Sequence, residues 1–116
     1  VLSELQPQVV RAATGLAGGV GSTHLELCGA LSGGVLVIGA RYGRESVDQS
    51  DSQALALSSR YRERFVALFD ETQCARLREK VQAPGGMGSC AVLVERAARL
   101  LLEVLAEDAV SEENSP

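Results

Sequence analysis

Only four aromatic side chains, Tyr42, Tyr61, Phe65 and Phe69, occur among the 116 residues, and tryptophan is absent. A core without large rings has to be filled by many Leu, Val and Ala side chains brought close together. That requirement favours helices packed face to face, with small residues letting the backbones approach. Hydrophobic residues make up 46% of the chain and charged residues 22%, globular values that exclude disorder over most of its length. A single helical domain over residues 1–106 is expected, followed by an acidic tail over residues 107–116.

The formal charge of −4 comes from 11 basic and 15 acidic residues. Four of the acids, Glu107, Asp108, Glu112 and Glu113, lie in the tail, where no Lys or Arg occurs. The body is therefore neutral, with no electrostatic footprint for nucleic acid or for an anionic membrane surface. The longest uncharged stretch, residues 27–40, contains four glycines and falls short of the ~20 apolar residues of a membrane span. It reads as a buried core helix, and no transmembrane segment is expected. Val1-Leu2-Ser3-Glu4 has neither a basic region nor an apolar run, so it is not read as a signal peptide. Three cysteines without a secretory signal do not suggest a disulfide framework. A cytoplasmic setting is expected, with the thiols free, metal-bound or paired reversibly.

Local signals divide the chain into helices. Pro7 suits the first turn of a helix over residues 3–17, with a Ser3…Gln6 cap, and Gly18-Gly19 stops it by admitting positive φ. Thr23 and Glu26 have capping-box spacing, which predicts a second helix from there to Tyr42. Its middle, Gly33-Gly34-Val35-Leu36-Val37-Ile38-Gly39, is also compatible with a strand, but the cap and the lack of a partner strand favour helix. Gly29 with Gly33, and Ala30 with Gly34, make a flat stripe open to another helix or a second subunit. Ser50…Gln53 opens a third helix to about Asp70, with Ala54, Leu57, Tyr61, Phe65, Leu68 and Phe69 on its buried face. A shorter helix follows over residues 72–81, with Cys74, Leu77 and Val81 on one side. After Pro84-Gly85-Gly86, a last helix over residues 89–106 has Cys90, Val94, Ala97, Leu101 and Val104 as its seam. The architecture expected is all-α, a small bundle of four to five helices.

The cysteines carry the chemical interest. With caps at Thr23, Thr72 and Ser89, Cys28 falls in the second turn of its helix, and Cys74 and Cys90 in the first turns of theirs. A helix N-terminus offers unpaired amides and a partial positive charge that favour a thiolate, the form that binds metals and attacks disulfides. The bland alternative is that each Cys is a small buried hydrophobe. No CxxC exists, so only convergence of the helix ends in space can make a site. His24, the only histidine, stands four residues before Cys28, on the same face of the expected helix. With Cys28, Cys74 and Cys90 it would complete a Cys₃His set suited to zinc or to an iron–sulfur cluster.

Other motifs fail. Gly19-Val20-Gly21-Ser22-Thr23-His24 lacks the third glycine of a dinucleotide fingerprint, and no Walker A sequence occurs. Asp70-Glu71 reads as a solvated cap. The runs Arg60/Arg62/Arg64 and Arg76/Arg78/Lys80 read as solvated faces. No catalytic constellation is evident.

Gly18-Gly19-Val20-Gly21 followed by Cys28-Gly29-Ala30-Leu31-Ser32-Gly33 resembles the C_GCAxxG_C_C family of redox-active proteins, whose signature is a glycine-rich turn, a CGAxxG motif and further single cysteines. Thr72-Gln73-Cys74-Ala75-Arg76-Leu77 and Gly88-Ser89-Cys90-Ala91-Val92-Leu93-Val94 are similar to its later cysteine segments. The resemblance covers about Val9 to Leu105. Family members typically carry four cysteines, the first on a helix upstream of the glycine-rich turn, and nothing before Cys28 here is a cysteine. That first-cysteine helix is expected to be missing, leaving the fourth ligand to come from upstream or from His24.

The resemblance implies a redox role, with an iron–sulfur cluster or metal held by Cys28, Cys74 and Cys90 and electron transfer to a redox partner protein. Thiol–disulfide chemistry, or an interaction bundle with inert cysteines that forms a homo-oligomer, stand as alternatives.

Overall fold

The computed structural model describes residues 5–113, with side chains through Asp108. Among them are five α-helices and one 3-10 turn: α1 (Pro7–Ala13), the turn Thr14–Leu16, α2 (Gly29–Tyr42), α3 (Ser52–Phe69), α4 (Cys74–Gln82) and α5 (Cys90–Glu113). The chain is a small all-α bundle. Helices α2, α3 and α5 pack on one another, α1 lies on α2, and α4 on α5. None of the described helices is long and apolar enough to cross a membrane.

The core is centred on α3. Leu57, Tyr61, Phe65 and Phe69 recur every four residues and are all buried. The rings of Phe65 and Phe69 lie 4.7 Å apart, and those of Tyr61 and Phe65 6.1 Å. Burial of side chains this size contributes about 1.5–3 kcal/mol each. Close approach of α2 depends on Gly34, where a Cβ would collide with the Tyr61 ring. The Tyr61 hydroxyl donates to the Ala30 carbonyl at 2.9 Å, so its polar end is satisfied inside the bundle. Gly29 is equally committed: a Cβ there would lie 3.0 Å from the Leu16 carbonyl oxygen. Two of the four stripe positions, Gly29 and Gly34, are thus used within the chain.

Several boundaries differ from expectation. Pro7 does open α1, but Gln6 is its N-cap, without a side-chain bond, and the α-helix stops at Ala13. The Ser3 cap falls outside the described residues. No capping box forms at Thr23. Its hydroxyl bonds to the carbonyls of Gly19 and Val20 instead, and α2 begins only at Gly29. Asp51, not Ser50, is the N-cap of α3, and Gln73, not Thr72, that of α4. Leu68 and Val94 are exposed, at 53% and 52%, because Phe69 and Leu93 hold the core-facing register beside them. One side of α2 is also open: Val35 borders a groove of about 1040 Å³ between α1, α2 and α3. Finally, α5 does not end at Ala106 but continues to Glu113, into the acidic stretch. Glu107 pairs with Arg64 and Asp108 accepts from Gln53, which ties this end of α5 to α3.

Candidate functional site

A short backbone crossing brings distant cysteines together. Leu27 and Gln73 form an isolated antiparallel bridge. The Cys28 amide donates to the Thr72 carbonyl at 2.8 Å, and the Cys74 amide to the Glu26 carbonyl at 2.9 Å. Helices α2 and α4 therefore start side by side. At the start of α5, the Ser89 hydroxyl accepts from the Ala91 amide at 3.1 Å, placing Cys90 in the first turn.

Cys28 is the N-cap of α2, and Cys74 and Cys90 are the first residues of α4 and α5. All three line one pocket of about 400 Å³. Its other walls are almost wholly apolar or backbone: Leu16 to Gly18 on one side, Gly29, Ala30 and Gly33 from α2, and Leu77, Leu93 and Val94 opposite. A Cβ at Gly33 would meet nothing within 4 Å, so this glycine leaves space in the pocket. Cys74 is buried and Cys28 and Cys90 are half-buried; no two of the three are joined in a disulfide.

The loop over this site is held in an unusual conformation. Five consecutive residues, Gly18 to Ser22, have φ between +58° and +69°, and His24 has φ +63°. Left-handed backbone costs a non-glycine residue roughly 1–2 kcal/mol, so Val20, Ser22 and His24 are strained. Hydrogen bonds hold the turn in place: Gly21 amide to Gly15 carbonyl at 2.8 Å, Ser22 to Ala17 at 3.0 Å, and His24 to Gly18 at 2.9 Å. Buried Gly19 seats the loop on the site. A Cβ there would lie 2.6 Å from the Cβ of Cys74 and 3.1 Å from the Cα of His24.

Burial pushes the Cys28 thiol above its ordinary pKa. The amides of Ala30 and Leu31 pull the other way, although neither closes a capping hydrogen bond, and charge on Cys74 or Cys90 would push Cys28 further up. Burial, with a smaller contribution from Cys28, likewise raises the Tyr61 phenol.

Sequence reasoning located the three cysteines at helix starts, and the structure gathers them at one pocket. His24 does not stand on a helix with Cys28. It lies in the left-handed loop, because α2 begins after it, and it does not line the pocket. Among the described residues no three His, Cys, Asp or Glu side chains are grouped so as to hold a metal ion. The donors bordering the space are three soft sulfurs, a type that thiolate-preferring metals and clusters share. Sequence reasoning missed the space left by Gly33. Arg78 is exposed, as its solvated run implies, and it also lines the pocket; its spacing of four from Cys74 was the available signal for that second place.

A family model described as "Putative redox-active protein (C_GCAxxG_C_C)" matches residues 2–104. No curated protein and no solved structure matches the chain.

Proposed function

The chain belongs to the C_GCAxxG_C_C redox-active family, and from that premise we propose that Cys28, Cys74 and Cys90 are the thiolate ligands of an iron–sulfur cluster used for electron transfer. One observation carries this reading: cysteines from three separate helix starts border a single apolar pocket. Such a cluster accepts and releases one electron, and its potential is set by hydrogen bonding, net charge and solvent exposure. The chain's own contributions are specific. The three sulfurs would bind, the amides of Ala30 and Leu31 would favour the ionised sulfur of Cys28, and the aliphatic walls would exclude water. Gly33 keeps the volume free, and the Gly18–Ser22 loop fixes Cys74. His24 stands outside the pocket lining, so in this reading the fourth ligand is either His24 brought in by a shift of its loop or a residue outside the described ones.

Anaerobic preparation tests the proposal. The expected product is brown, with iron and acid-labile sulfide in stoichiometric amounts; a colourless protein lacking both contradicts it. Unchanged cluster content in His24→Ala assigns the fourth position elsewhere. The shared pocket also supports a second reading, a reversible disulfide between two of its cysteines. Loss of two hydrogens on mild oxidation, read by mass spectrometry, would identify it.

A further inference from the structure

The walls of the cysteine pocket include one charged side chain, Arg78. It follows Cys74 by four residues, so the two share one face of α4. Its neighbours on the helix are already engaged: Arg76 pairs with Glu71 at 3.6 Å and Lys80 with Asp70 at 3.3 Å. Arg78 makes no ion pair among the described residues. Arg78 is exposed, so this permanently charged residue, with five donors on its guanidinium, stands at the rim of a space otherwise lined by sulfur, aliphatic carbon and glycine. No carboxylate in the pocket lining offsets it.

We infer that the cysteine pocket is an anion-selective binding site: it takes a small carboxylate-bearing molecule, with the carboxylate on Arg78 and the apolar or sulfur-containing body against the cysteines. An apolar cavity with one fixed charge at its wall has the composition of a small-molecule site, in which apolar surface supplies affinity and one polar group supplies orientation. The inference extends the reading of the three cysteines as the reactive centre. It can be tested without any cluster.

Reduced, metal-free protein is treated separately with iodoacetate and with iodoacetamide, an anionic and a neutral reagent of nearly equal size. Alkylation rates at Cys90 and Cys28 are read by peptide mass spectrometry, and each ratio is referred to the same protein unfolded in urea. Arg78→Gln is expected to lower the iodoacetate-to-iodoacetamide ratio by about fivefold, and Arg78→Lys to keep it within about twofold of the unsubstituted chain. Arg76→Gln, which removes an equal charge outside the pocket lining, is expected to leave the ratio unchanged. An unaltered ratio in Arg78→Gln, an equal drop in Arg76→Gln, or no reaction of either thiol in the folded protein overturns the inference. A retained ratio in protein that never binds iron would remove the cluster reading and leave this one standing.

Discussion

The two ends of α2 face different surroundings. Toward α3, Gly34 lies against the Tyr61 ring and Ile38 shares the buried core with Tyr61, Phe65 and Phe69, and buried surface stabilises the fold. Toward the starts of α4 and α5, Gly29 and Gly33 border a cavity, the adjoining loop holds left-handed backbone, and burial disfavours ionisation of Cys28. Strain and open space are tolerated at the second end because the first supplies the stability. Concentration of both at the cysteines marks that end as functional.

Substitution of the ladder should have the largest effect. Phe65→Ala removes a side chain with no exposed surface and is expected to cost about 3–5 kcal/mol, read as a fall in the urea midpoint. A matched pair sharpens the contrast further. Gly34→Ala places a methyl in the Tyr61 ring and is expected to cost about 1–3 kcal/mol. Gly33→Ala, one residue earlier, meets open space and is expected to leave stability equal or higher by up to ~1 kcal/mol, through helix propensity, while reducing cluster loading. Equal destabilisation by the two alanines would erase the distinction between the packed side and the open side.

The smallest effect concerns pH. Because burial raises the Cys28 thiol in the folded protein, the neutral form is the one the fold favours. Its contribution is fully present below the unfolded thiol value, about 8.5, and is lost as pH rises through the higher folded value. In metal-free protein, the urea midpoint is expected to fall more between about pH 8 and pH 10 than it does in Cys28→Ala. Identical pH slopes in the two proteins would show that Cys28 is not held in an apolar site.

Legibility in the sequence follows the same division. The buried faces of α3 and α4 were readable because Leu57, Tyr61, Phe65 and Phe69, and Cys74, Leu77 and Val81, follow helical spacing, which local physics enforces. Pro7 at the start of α1 and the positive φ of Gly18-Gly19 were equally plain, although α1 gives way to a 3-10 turn after Ala13. The start of α2 was misread because Thr23 and Glu26 carry a capping-box pattern, while the backbone between Gly18 and Leu27 is committed to loop hydrogen bonds and to pairing with Gln73. That pairing joins residues 46 apart in the chain, 27 and 73, and no local pattern announces it. The exposure of Arg78 was readable from the alternating charges on α4, whereas its place at the pocket was not.

The central claim is that three separated cysteines act as one centre. Single Cys28→Ser, Cys74→Ser and Cys90→Ser proteins, each checked for helical content by circular dichroism, should be prepared anaerobically beside the unsubstituted chain and analysed for bound iron. The account expects each folded variant to lose most of its iron, because removal of any one sulfur opens the shared site. A folded variant that retained the full iron content would show that its cysteine stands apart, and the single-centre account would be wrong.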